Sequence, residues 1–213
     1  MLVALLVIAA VSGGVLGLVY GVTKDTIAQV DQKKNEAAIK AVLPLKDVTY
    51  KADTMQFNYE GVDLTFPCNL AYDANGNFKG AAVKTSEGGF GGKIDMMVGF
   101  LADGTIKGTS VLSHAETPGL GANMTGKFKD QFVDKNLASY KLTVTKDGGD
   151  VDAITAATIT SRAFSKAVDK AYQAFMANKA QFMNNTPAKE AAPVMEEAPA
   201  EENNETEGGQ SNE

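Results

Sequence analysis

The sequence predicts an α+β fold: a mostly antiparallel sheet with helices, behind one N-terminal transmembrane helix and followed by a disordered acidic C-terminal tail. Three observations carry this expectation. Residues 1–23 hold no charged side chain; short runs between 55 and 112 alternate apolar and polar residues between turn signals; and Phe164, Val168, Ala171, Phe175 and Phe182 recur at helical spacing. Lys166, Asp169, Lys170 and Gln173 fall on the other face of that last helix, so its aromatic stripe is read as core, with the helices on one side of the sheet.

The elements follow in chain order. At 1.5 Å per residue an uncharged helix of ~22 residues spans about 33 Å, enough for the bilayer hydrocarbon. A secretory signal peptide would show a basic start, a shorter apolar core and a small-x-small cleavage site, and none of these is clear. Ser12, Gly13, Gly14 and Gly17 are small enough to let a membrane partner helix approach. Residues 24–44 continue as a helical stalk, with Ile27, Val30, Ala37, Ile39 and Val42 among charges, stopped by Pro44. Lys24, Lys33, Lys34 and Lys40, taken alone, would put the following domain in the cytoplasm. The sequence begins directly in the apolar run, and residues ahead of it would bear equally on orientation, so these lysines decide nothing.

Residues 45–186 form the domain. Strands are expected around 55–59 and 69–72, then an Asp73-Ala-Asn-Gly-Asn77 turn and a return strand over 78–85. Gly88-Gly-Phe-Gly-Gly92 reads as a flexible corner, residues 94–100 and 105–112 as two further strands about an Ala-Asp-Gly turn, 127–133 as a short helix and 140–145 as a last strand. The stretch 187–213 has eight Glu, one Lys, three of the six prolines and no aromatic residue. It cannot bury enough apolar surface to offset its ordering, and reads as a solvated extension or an acidic docking segment.

Composition removes whole classes of function. Twenty Lys and Arg against 26 Asp and Glu leave a net charge of −6, which argues against nucleic acid as a partner. A single histidine, His114, and a single cysteine, Cys68, cannot build an internal disulfide, a Cys-rich zinc site, an iron–sulfur cage or a His-pair zinc helix. No protein metal site is expected, and redox chemistry must come from an organic cofactor. Neither a dinucleotide fingerprint nor a P-loop is present, because Gly88 to Gly92 lacks the spacing and no helical pattern follows.

Two segments carry chemistry. In His114-Ala-Glu-Thr-Pro-Gly-Leu-Gly121 a Pro-Gly turn and a second glycine leave backbone amides open to a flat or anionic ligand; the plain alternative is a strand-to-helix loop. A hydrolase with His114 as base and Glu116 as its orienter lacks a nucleophile elbow. Asp152-Ala-Ile-Thr-Ala-Ala-Thr-Ile-Thr-Ser161 stands directly before the long helix, where free N–H groups favour a phosphate; the plain alternative is capping by Thr160 or Ser161.

Taken together and in order, Gly-Phe-Gly-Gly-Lys-Ile, Met-Met-Val-Gly-Phe, the Ala-Asp-Gly turn and the two segments resemble the covalent FMN-binding domain family, from the membrane helix to about Phe182. Within it the pattern is similar to the G-type branch of Rnf-type ion-translocating electron transport complexes, with the C-type branch of the sodium-pumping NADH:quinone oxidoreductase as the nearest alternative. The resemblance implies FMN held by a phosphoester to a threonine, attached by a flavin transferase, in an electron-transfer subunit of a translocase working between ferredoxin and NAD beside other membrane and peripheral subunits. It implies a single pass through the bacterial cytoplasmic membrane with the flavin domain on the extracytoplasmic side. Carried across residue by residue, Thr158 is the attachment threonine, with Thr155, Ala157 and Thr160 in the same motif. Glu116, Thr117, Gly119, Leu120 and Gly121 line the flavin, with Thr117 and Leu120 closest to the ring. Ala156 stands where the family has glycine, and would be strained if the backbone there needs positive φ. No catalytic acid or base is implied. The reading from a different class is an anchored, non-enzymatic binding or scaffold protein.

Overall fold

The computed structural model describes residues 2–184, and the acidic stretch 187–213 lies outside them. Helix α1, Leu2–Val42, is one continuous 41-residue helix, so the expected boundary between span and stalk is not a break in the backbone. Side chains in its first part are described only in part, and among the described residues no helix segment is long and apolar enough to cross a membrane. Leu6, Val11, Leu16, Val19 and Val22 nonetheless point to different sides of α1 and are all exposed, with nothing among the described residues covering them.

The sheet is a five-stranded antiparallel meander in the order β1-β2-β3-β4-β5, built from Val48–Tyr59, Val62–Asp73, Phe78–Gly88, Lys93–Leu101 and Ile106–Ser113. The first two strands are each longer than the sequence pattern suggests. They close through a two-residue turn at Glu60 and Gly61, both at positive φ (50° and 85°), as a tight hairpin with the native twist requires. Asp73 organises the next turn by accepting hydrogen bonds from the amides of Asn75 and Asn77 and from the Asn77 side chain.

Helix α2, Thr158–Asn184, covers one face of the sheet. Its Phe175 stacks on Phe100 of β4 at 5.1 Å, Phe182 meets Phe78 of β3, and Phe164 packs with Phe128 and Phe132 from the short 3-10 helix Lys127–Phe132. The sequence reading places the helices on one side only. The structure puts the last turns of α1 on the opposite face, where Ala38, Ile39, Val42 and Leu43 pack on Ala71, Ala82 and Met97. Gly99 of β4 and Gly108 of β5 are cross-strand partners directly beneath Val42, and a methyl group on Gly99 would overlap the Val42 carbonyl oxygen. This pair of glycines is what lets the helix backbone lie on the strands.

The last expected strand, over 140–145, is not formed. Its hydrogen bonds go to its own loop: Asp150 N donates to the Lys141 carbonyl, Val151 N to that of Thr143 and Thr145 N to that of Val151, leaving only an isolated bridge between Val144 and Val151. Gly148, at φ 83°, turns the chain back before it can reach the sheet edge.

Gly99→Ala should displace the end of α1 from the sheet while leaving the meander and α2 in place, at a cost of about 1–3 kcal/mol. Hydrogen exchange checks this: the Leu43 amide, which donates to the Ile39 carbonyl at 2.9 Å, should lose protection selectively, with β3 and β4 amides much less affected.

Candidate functional site

Three segments meet at one end of the sheet: the corner Gly88–Gly92 between β3 and β4, the loop after β5, and the turn that enters α2. Register brings the first two together, because Gly88 pairs with Lys93 and Asp95 with Ser113. The third is joined to them by one side chain.

That side chain is Glu116, 5% exposed. One carboxylate oxygen accepts a hydrogen bond from the Gly91 amide at 3.0 Å and the other from the Thr160 hydroxyl at 2.7 Å. A methyl group on Gly89 or Gly121 would overlap a carboxylate oxygen, so those glycines are the space Glu116 occupies. A buried carboxylate is tolerated only where donors replace its water, and these donors come from two different segments. His114 is exposed, and its Nδ1 accepts from the backbone amide of Glu116, whose carboxylate accepts from Gly91 and Thr160 instead. The Glu116 carboxylate therefore does not orient an imidazole base, and the hydrolase arrangement is absent.

The loop's Pro-Gly pair forms the expected turn, with Gly119 at φ 77° and the Leu120 amide donating to the Thr117 carbonyl at 3.1 Å. A 3-10 helix, Gly121–Thr125, then carries the chain under α2. At the other segment Ala157 N donates to the Ile154 carbonyl, closing a turn with Thr155 and Ala156 at its apex. Ala156 has φ 60°, so the alanine sits in the left-handed region that favours glycine. Ser161 staples this turn from within the helix, its hydroxyl accepting from Ile154 N and donating to the Ala157 carbonyl.

Capping by Thr160 or Ser161 is thereby overturned. The helix begins at Thr158, so both lie in its first turn, and both hydroxyls point inward to other partners. Ala157, at the cap position, has no side-chain oxygen. Among the described residues no acceptor is found for the amides of Thr158, Ile159 and Thr160, the free donors that a helix start offers an anion. Arg162, in the same turn, is engaged outward with Asp147 through two contacts of 2.7 and 2.8 Å, which hold the Asp147 carboxyl below its usual range and raise the guanidinium.

Both segments line a single cavity of about 390 Å³, within the roughly 300–1,000 Å³ usual for small-molecule sites. Of the residues singled out from sequence, Glu116, Thr117, Leu120, Gly121, Ala157, Thr158 and Thr160 lie on its wall, while Thr155 and Gly119, exposed in the two turns, do not. Phe90, Ala156 and Ile159 complete the lining. Phe90 and Ile159 are lining residues that sequence reasoning misses. The available signal for Phe90 is an aromatic residue flanked by four glycines, and it reads equally well as a loose corner. A second cavity of about 360 Å³, bounded by Lys84, Lys93 and Lys170, contains no residue of either segment.

The positive φ of Ala156 yields a direct expectation. Ala156→Gly should stabilise the domain by about 1 kcal/mol, the reverse of the usual sign for this substitution. Urea unfolding checks it: the midpoint should rise with an unchanged slope.

The family model described as FMN-binding domain matches residues 89–173, which hold the corner, the loop and the start of α2. A relative from Vibrio atlanticus, named as the G subunit of an ion-translocating oxidoreductase complex, is 35% identical over 182 residues, covering 79% of this chain and 86% of that protein. One from Acetobacterium woodii, named as the G subunit of a Na(+)-translocating ferredoxin:NAD(+) oxidoreductase complex, is 34% identical over 183 residues, covering 80% and 88%. Among solved structures, NqrC of Shewanella oneidensis is 22% identical with a TM-score of 0.46, covering 60% of this chain and 69% of that one. With two motifs built into one cavity and relatives matched over most of their length, the chain belongs to the family of G subunits of ion-translocating oxidoreductase complexes, with their FMN-binding domain.

Proposed function

We propose that the chain is a membrane-anchored flavoprotein electron carrier of an Rnf-type complex, one that couples electron transfer between ferredoxin and NAD to ion movement, with FMN joined by a phosphoester to Thr158. The observation that carries this reading is the convergence of both sequence segments on one cavity at the start of α2. The residues fit the group. A phosphate at Thr158 would face the free amides of Thr158, Ile159 and Thr160, and the apolar wall of Phe90, Leu120 and Ile159 suits a flat ring. When bound, FMN supplies the electron transfer itself, and this chain's residues hold and surround it.

The hydroxyls in the motif take separate roles. Thr160 is committed to Glu116 and Ser161 to the turn, whereas Thr158 opens onto the cavity with no protein partner among the described residues. Thr155, exposed at the turn apex, stands off the wall. Ala157, Thr117, Gly119, Leu120 and Gly121 shape the site, and a flavin transferase makes the bond.

Residues 1–23 serve as the membrane anchor: ~22 uncharged residues in helix reach about 33 Å, and a helix apolar on all sides needs lipid or protein around it. Residues 24–44 are the stalk, 45–186 the flavin domain on the extracytoplasmic side, and 187–213 an acidic extension. One membrane span without a charged residue offers no ion path, so the pumping belongs to partner subunits.

Co-expression with a flavin transferase tests the attachment. Thr158→Val should abolish covalent flavin by intact mass and in-gel fluorescence while the protein stays folded, and Thr155→Val should retain it. Thr160→Val should keep the linkage but lose about 1–3 kcal/mol, because Glu116 is left with an unpaired buried oxygen. Covalent flavin on Thr158→Val would sink the assignment.

Sidedness is tested at Asn75, exposed in the β2–β3 turn. A cysteine there, in a Cys68→Ser background, should react with a membrane-impermeant maleimide in intact cells; labelling only after lysis would put the domain inside. Native Cys68 is buried, which pushes its thiol up to about 12 and makes it unreactive.

A further inference from the structure

The mouth of the cavity carries three apolar side chains left open to solvent: Phe90 at 70% exposure, Ile159 at 52% and Leu120 at 42%. Single exposed apolar residues are ordinary; three around one concave site are not. Phe90 also stands on a corner that is fastened. Gly91 N donates to Glu116 at 3.0 Å and Gly89 N to the Gly92 carbonyl at 2.8 Å. A methyl group on Gly91 would overlap the Ala115 carbonyl oxygen, so the corner lies tight against the His114–Gly121 loop. The Phe90 ring therefore cannot retreat into the core, and it is presented at the cavity by the same carboxylate that holds the start of α2.

We propose that Phe90 is a positioning residue for the flavin, its ring packed against the isoalloxazine as one wall of the site. This rests on the reading that Thr158 carries FMN. A flat aromatic wall on a pinned corner, facing a tether on the helix, restricts a ring that the phosphoester alone would leave free to swing, and offset aromatic packing supplies the preference. Leu120 and Ile159 complete the apolar surround.

The chain contains no tryptophan, which makes a clean optical test possible. An indole in contact with an excited flavin donates it an electron, which then returns, so flavin emission is quenched. Full-length Phe90→Trp and Asn75→Trp are co-expressed with a flavin transferase; Asn75 lies in the β2–β3 turn, at the opposite end of β3 from the corner. Fluorescence is compared at equal covalent loading, read from a denaturing gel. Phe90→Trp should be severalfold dimmer than wild type when native and recover in guanidinium, while Asn75→Trp should match wild type in both states. Native Phe90→Trp as bright as Asn75→Trp would overturn the proposal and turn Phe90 outward toward a partner protein. Should Phe90→Trp fail to load, Phe90→Tyr gives the same readout, since a phenol also quenches. A dark denaturing-gel band for wild type would instead overturn the covalent-flavin reading, and this inference with it.

Discussion

The site depends on a single buried carboxylate. Glu116 joins the β3–β4 corner to the first turn of α2 from a loop that belongs to neither, and the hydrogen bonds it makes are the only polar link across that junction among the described residues. Because its oxygens are out of water, loss of either partner leaves an acceptor uncompensated, which costs more than the bond itself contributes. The clamp is thus all or none. The glycines at 89, 91 and 121 follow from it, since each occupies a place where a side chain would displace Glu116 or the loop that carries it. What looks in sequence like a flexible Gly-rich corner is a close-packed joint.

A second close approach sets where that joint sits relative to the helix leading out of the domain. Strands β4 and β5 are used on both faces: Met96, Val98 and Phe100 face α2, while Met97 and Gly99 face the end of α1. The Tyr50 hydroxyl donates to the Leu43 carbonyl at 2.6 Å and ties the chain as it leaves the helix. The site and the end of α1 are therefore held by the same strands from opposite sides. Movement of one relative to the other requires breaking a packed layer, not bending a linker.

How much of this is legible in the sequence follows from local periodicity. β3 and β4 are buried on both faces, α2 on one and the end of α1 on the other, yet Ile94, Met96, Val98 and Phe100 still recur at every second position, and the meander can be read from such runs and the turns between them. β1 is largely exposed, with Met55 and Tyr59 its only buried side chains, so its pattern fades and only residues 55–59 are recognisable. Residues 140–145 alternate as a strand would, but Tyr140 and Leu142 pack as partly buried side chains of a loop that satisfies its own backbone. Period two does not tell a strand from a loop leaning on the core. In the site, the residues that sequence identifies are those with turn or hydroxyl chemistry. Phe90 and Ile159 escape it because an apolar residue beside glycine, or at a helix start, has the same signature whether it packs inward or faces a ligand. The docking of α1 on the sheet rests on Gly99 and Gly108, two residues remote in sequence from the helix they receive, and no local pattern could announce it.

The shape of the cavity also bears on the proposed covalent attachment. One wall is a helix start with free amides, the other an apolar rim of Phe90, Leu120 and Ile159 that stands open to solvent, and Glu116 is its only charged lining residue. Such a site offers an anion the helix dipole, roughly 0.3–1 kcal/mol where exposed, without a cation to pair it, and encloses a ring on few sides. Contacts of that kind hold a free flavin only when its concentration exceeds the dissociation constant. The proposed phosphoester would remove the concentration term and also lower the phosphate from a dianion to a monoanion, which would reduce repulsion from the Glu116 carboxylate. On the proposed function openness is useful: electrons would enter and leave through partner subunits, and a tethered ring would not need to be buried to be retained.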